Sequence, residues 1–183
     1  MKKIPTLFRR DPADMSRVLD EPNPECAWVQ AGEGVAIRKV DGTSCLYRDG
    51  AWWKRREVKK GKSPPADFME ESFDETTGKR TGWVPIVDED KWHRDAIARH
   101  QEEPPIAGTY ELIGPKVQGN PDGVEEHLLL RHAMLDRYTD APTGHEALAA
   151  WLSDHRIEGL VWHHPDGRMA KIKRRDFGLP WPA

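Results

Sequence analysis

The sequence predicts an α+β fold of mainly antiparallel sheets with flanking helices, on three observations. Extended runs crowd the stretch from Cys26 to Arg56 and return at 83–87, 108–113 and in the tail. Asp49-Gly50 sits between two of these runs as a tight hairpin turn, since Gly accepts positive φ at no steric cost. Helical signals are confined to a few short segments, which leaves helices to pack on sheets.

Taken in order, Asp11–Leu19 reads as a short helix closed off by Pro22 and Pro24. Strands follow at 27–29, 35–40, 44–47 and 51–54. Residues 57–82 are polar and hold Gly61, Pro64, Pro65 and Gly78, so they read as a long surface loop. Trp83–Val87 is extended, and Asp88 then caps a helix running to about Gln101, before Pro104-Pro105. Gly108–Ile113 is a strand, 114–121 a turn-rich segment and His127–Arg131 a further strand. Thr143-Gly-His-Glu146 has the form of a capping box, with Leu148, Trp151 and Leu152 on one helical face. The tail is a hairpin, 157–162 and 168–173, turning at His164–Gly167. No repeat or separating linker is visible, so residues 1–183 read as a single domain.

Composition narrows the classes. The 183 residues carry 28 Lys+Arg against 31 Asp+Glu, and 32% are charged. Eight Trp nevertheless supply the buried area that disorder lacks. No apolar run approaches the roughly 20 residues of a membrane helix, and the basic N-terminus lacks the apolar stretch of a secretory signal. Two cysteines are too few for a disulfide framework, so a reducing, cytoplasmic setting is expected. Six basic groups lie within 52–62 and a second basic block within 171–175. Each alone is an ordinary solvated face, but together they can converge on a polyanion.

Familiar phosphate loops are absent. Ile37 stands where Gly32-Glu-Gly34 would need its third glycine, and Asn120-Pro121 follows where Gly114–Gly119 would need Lys and Ser/Thr. Four other features carry chemistry. In Lys39-Val-Asp-Gly-Thr43, strand alternation puts Lys39 and Asp41 on one face, with Gly42 allowing a ligand close approach. Glu158 in Glu-Gly-Leu-Val161 is costly to bury unless it binds something. Lys171 and Lys173 share a strand face with Ile172 on the core side, and Glu111 is flanked by apolar neighbours. Taken singly, each has a bland reading: a turn with an incidental lysine, a rim glutamate, an edge strand guarded by lysines. Zinc is not expected: His127 and His132 are five apart, and with His163-His164 no third ligand completes a set by spacing. Cys45 reads as core rather than reactive.

The order and spacing of these elements resemble the covalent nucleotidyltransferase superfamily, and within it the compact ATP-dependent 5′-3′ RNA ligases. The resemblance rests on Lys39-Val-Asp-Gly-Thr-Ser-Cys45, Gly82-Trp-Val-Pro-Ile86, Glu111-Leu-Ile-Gly114 with Gly119-Asn-Pro121, and His127-Leu-Leu-Leu-Arg-His132. Its later blocks are Glu158-Gly-Leu-Val-Trp-His163, Asp166-Gly167, Lys171-Ile-Lys173 and Leu179-Pro-Trp-Pro182. It implies a ligase adenylation fold, ATP-grasp-like, without the oligonucleotide-binding domain of larger ligases. It implies ATP and Mg²⁺, with Mn²⁺ as a substitute, attack of Lys39 on the α-phosphate, and transfer of AMP to an RNA 5′-phosphate that a 3′-hydroxyl then joins. Lys171 and Lys173 would depress the Lys39 amine and stabilise the phosphate charge. Glu111 would contact the ribose, Arg55 the AMP phosphate, and Glu158 with Asp41 the metal. Arg56, Lys59, Lys60, Arg174 and Arg175 would track the RNA backbone. RNA ends are the expected partner, with no membrane and no obligate protein. Two other readings share these residues: AMP transfer to another acceptor, and a non-catalytic RNA-binding module.

Overall fold

The computed structural model describes residues 4–100 and 104–182. In chain order its regular elements are β1 (Phe8–Arg10), β2 (Val18–Pro22), α1 (Ala27–Gln30), β3 (Val35–Lys39), β4 (Thr43–Arg48) and β5 (Ala51–Val58). Then come β6 (Met69–Asp74), β7 (Lys79–Pro85), α2 (Lys91–Ala98), β8 (Gly108–Ile113) and β9 (Leu128–Arg131). The chain continues through β10 (Arg137–Tyr138), α3 (His145–Asp154), β11 (Gly159–His163) and β12 (Met169–Lys173). The strands pair antiparallel, as the α+β reading expects. The described residues divide into two compact units: a terminal unit, 4–40 with 135–182, and a central unit, 41–100 with 104–134.

In the terminal unit the main sheet runs β10-β3-β11-β12. Alternation gives it two chemically opposed faces. Ala36, Leu160, Trp162, Ala170 and Ile172 point into a core shared with Leu148 and Leu152 of α3 and with Leu7, Phe8 and Val29. Residues one step along, Lys39, Ile37, Val161, Lys171 and Lys173, occupy the other face. The free edge of β12 is closed by the N-terminal segment, where Lys171 N–H donates to the Pro5 carbonyl (2.9 Å) and Leu7 N–H to that of Lys171 (2.8 Å).

The central unit is a six-stranded sheet, β6-β7-β5-β4-β8-β9. Cys45, Tyr110, Leu112 and Leu129 form its core with Ala96 and Ile97 of α2. Ser44, Leu46, Trp53, Arg55, Thr109 and Glu111 alternate with these and share the opposite face. Asp49 and Gly50 both take positive φ, 53° and 77°, so the expected hairpin turn forms between β4 and β5.

Five local expectations are corrected. Asp11–Leu19 is not a helix, because Asp11 and Asp14 carboxylates accept from the backbone of Ala13 (2.8 Å) and Ser16 (2.9 Å), turns that compete with helix formation. Residues 27–29 are helical rather than extended: Asn23 accepts from Glu25 N–H (3.1 Å) and Pro24 opens the turn that leads into α1. Within 57–82 lies the β6–β7 hairpin, whose strand signal is masked by polar pairs such as Ser72–Thr81 (2.9 Å) and by Arg80 stacked over Phe73. Thr143 does not cap α3, whose N-cap is Gly144. The helix expected from Asp88 starts at Lys91 instead, and the Gln101 end lies outside the described residues. No helix of the described residues is long and apolar enough to cross a membrane.

Candidate active site

One face of the terminal sheet carries three lysines, two of which pair with one carboxylate. Lys39, Gly159 and Lys173 form a single rung across β3, β11 and β12, and Lys171 lies two residues along β12 on the same side. Gly159 places no side chain between the two lysines. Glu158, immediately before β11, is 1% exposed. Its Oε2 accepts from Lys39 Nζ at 2.6 Å, and its Oε1 lies 2.7 Å from Lys173 Nζ, an ion pair whose angle falls outside hydrogen-bond geometry. Lys39 Nζ also donates to the Val40 carbonyl (3.3 Å). A buried carboxylate is tolerated only when paired, and here two ammonium groups supply the pairing.

The balance is still cationic, three lysines to one glutamate, and Lys171 bears the consequence. Burial first, then the nearby charges of Lys173 and Lys39, push its ammonium down from 10.5 to about 8, against the opposing pull of Asp176. Its charge is therefore a cost to folding that is full below pH about 8 and relieved as pH rises towards the unfolded value, where the unfolded chain binds more protons. An anion placed beside Lys171 favours the charged form. If tripolyphosphate seats there, its binding at pH 8.5 is expected to take up about half a proton, read by titration calorimetry in two buffers of different ionisation enthalpy. The uptake disappears at pH 6 and in Lys171→Met; equal uptake in that variant would place the anion elsewhere.

The tail locks this arrangement. Asp176, 2% exposed, accepts from Arg10 (2.7 Å) and from the Lys173 backbone N–H (2.8 Å). Arg174 is the clearest correction to the expected RNA-tracking set. It is 4% exposed, and its guanidinium donates to the carbonyls of Leu152, His155 (2.7 Å) and Pro180 (2.9 Å), tying α3 to the tail. Arg175 is exposed.

In the central unit, Glu111 stands opposite Ser44 on β4 and Leu130 on β9, and Arg55 opposite Trp83, all on the face turned away from the core. His132 joins them: its Nε2 lies 3.0 Å from Glu111 Oε2 and its Nδ1 2.9 Å from Thr109 Oγ1. Ser44 Oγ and Trp53 Nε1 on this face are buried and have no hydrogen-bond partner among the described residues. Both follow from β register, a signal that residue type alone does not carry. β3 ends at Lys39, so the alternation invoked for Asp41 does not extend to it. Gly42 approaches backbone rather than ligand: a side chain there would meet the Leu112 carbonyl and Glu111 Cγ. Arg56, Lys59 and Lys60 are exposed, whereas Lys54 is paired with Asp90. His127 is engaged separately, with Asp95 (2.9 Å) and stacked on Trp92. Cys45 is fully buried, and burial pushes its thiol up to about 12, as a core residue's should be.

A sheet face with a cation excess held around a buried glutamate defines an anion-seeking site. Comparison with known proteins finds a similarity to RNA ligases. Residues 97–183 match the family model described as RNA ligase 1. RNA ligase 1 of Mus musculus is 28% identical over 164 residues, covering 72% of this chain and 48% of that protein. RNA ligase 1 of Danio rerio is 30% identical over 138 residues, covering 57% and 42%. Over these residues the chain is similar to RNA ligase 1 proteins, and it spans about half the length of the curated relatives it matches.

Proposed function

We propose that this chain is an ATP-dependent RNA ligase that works through a lysyl–AMP intermediate on Lys39. The observation that carries the reading is the Lys39–Glu158–Lys173 cluster: a half-buried amine on the sheet face away from the core, in contact with a carboxylate able to take its proton. Lys39 Nζ attacks the α-phosphorus of ATP, the bond to the bridging oxygen breaks, and pyrophosphate leaves with the negative charge that Lys171 and Lys173 are placed to meet. The proton lost by Nζ passes to Glu158 Oε2 or to solvent. AMP then moves to an RNA 5′-phosphate, and a 3′-hydroxyl displaces it to form the phosphodiester. Glu111 is assigned the ribose, Arg55 the AMP phosphate, and Arg56, Lys59, Lys60 and Arg175 the RNA backbone.

Mg²⁺ enters this reading with ATP, as the counter-ion of the substrate, and Mn²⁺ is its natural substitute. Glu158 and Asp41 offer the oxygen donors such an ion takes, but both Glu158 oxygens are engaged by ammonium groups, so a direct metal bond there requires a lysine to leave. The two buried free cysteines suit a reducing, cytoplasmic setting. The test is joining of a 5′-phosphorylated RNA to a 3′-hydroxyl end. A product that appears only with ATP and a divalent ion supports the assignment. AMP attached to the protein and passed to no RNA end would move it to another acceptor.

A further inference from the structure

We propose that His132 is a positioning residue for Glu111, fixing the carboxylate that this reading assigns to the ribose. The inference rests on that assignment. Glu111 projects from β8 onto the face turned away from the core, where its side chain is 12% exposed and has three rotatable bonds to fix. Two constraints remove that freedom. A side chain on Gly42 would press on Glu111 Cγ at 2.8 Å, so the bare glycine brings the chain close against the stem. His132 holds the head, with Nε2 at 3.0 Å from Oε2.

The imidazole is itself held. Thr109 lies two residues before Glu111 on the same strand and therefore on the same face, and its Oγ1 is 2.9 Å from His132 Nδ1. Neutral His132 donates from Nε2 to Glu111 and accepts at Nδ1 from the threonine hydroxyl. In the protonated form both nitrogens donate and the hydroxyl turns to accept. Thr109 thus satisfies either state, and the Glu111 contact survives in both. One Glu111 oxygen is committed to His132, which leaves Oε1 for a ribose hydroxyl. The chain of contacts has the same logic as the outer partners that orient a ligating carboxylate.

The test is equilibrium binding of ATP and of its 2′-deoxy and 3′-deoxy forms to the full chain. Glu111→Ala is expected to weaken ATP about tenfold and to abolish discrimination against one deoxy form. His132→Ala is expected to lose most of that discrimination while binding the deoxy nucleotide as the wild type does. His132→Gln, which keeps a donor near the Nε2 position, restores it to within about twofold, and Glu111→Ala/His132→Ala is no worse than Glu111→Ala alone. A purely structural role for His132 would weaken ATP and deoxy-ATP equally. Normal discrimination in His132→Ala, with discrimination lost in Glu111→Ala, overturns the proposal. Normal discrimination in Glu111→Ala overturns the ribose assignment itself, and His132 falls with it.

Discussion

Incubated with ATP and Mg²⁺, the wild-type chain is expected to gain the mass of one AMP, and its Lys39→Met form none. The loss is expected to exceed about a thousandfold, because no other step can proceed once the nucleophile is gone. Methionine keeps most of the apolar stem, so packing along β3 is preserved. Glu158 retains Lys173 at 2.7 Å and is not left as an isolated buried charge. The variant should therefore fold, and circular dichroism with a melting curve checks that. Intact-mass spectrometry reads the result without a nucleic-acid substrate, which separates the first chemical step from any question about the RNA. If Lys39→Met acquires AMP as readily as the wild type, Lys39 is not the acceptor. Lys171 is then the next amine to replace, since burial and the neighbouring lysines depress its ammonium to about 8.

Much of this site was legible in the sequence because it is written in period two. Lys171 and Lys173 flanking Ile172 could only be a strand with a charged and a buried side, and Ile172 is fully buried. Glu158 was visible as a carboxylate at the mouth of an apolar strand. Its partners were not, because its ion pairs to Lys39 on β3 and Lys173 on β12 depend on β11 lying between those strands, which no local pattern encodes. Arg174 misled for a related reason: a basic run looks solvated until α3 offers its carbonyls. The β6–β7 hairpin was hidden because polar and charged residues dominate its pairs, Met69–Trp83 aside, so no sustained alternation of hydrophobicity appears. The turn at Asp11–Ser16 was lost to side chains whose bonds to nearby amides resemble helix caps in sequence.

Glu158→Ala is expected to do the most damage to the fold and the reaction together. It removes the carboxylate that pairs with the ammonium groups of both Lys39 and Lys173 and leaves three ammonium groups on one face. Breaking a buried pair by deleting one partner costs about 3–5 kcal/mol; the lysines keep roughly a fifth of their surface, so about 3 kcal/mol is the better figure here. For a chain of this size that lowers Tm by roughly 6–12 °C. Glu158→Gln keeps the shape and one acceptor, so it should melt between the two, yet adenylylation should fall at least about a hundredfold in both. A small loss of stability with a large loss of reaction in the glutamine form would separate the chemical role of the charge from its structural one. The sharper discriminator is an added anion. Tripolyphosphate can supply the negative charge that Glu158→Ala lacks, so it should raise the Tm of that variant more than that of the wild type. Equal shifts in the two proteins would mean that the polyanion binds away from this rung. Wild-type stability in Glu158→Ala would mean that the three lysines do not need their carboxylate, and the cluster would lose its claim to be the active site.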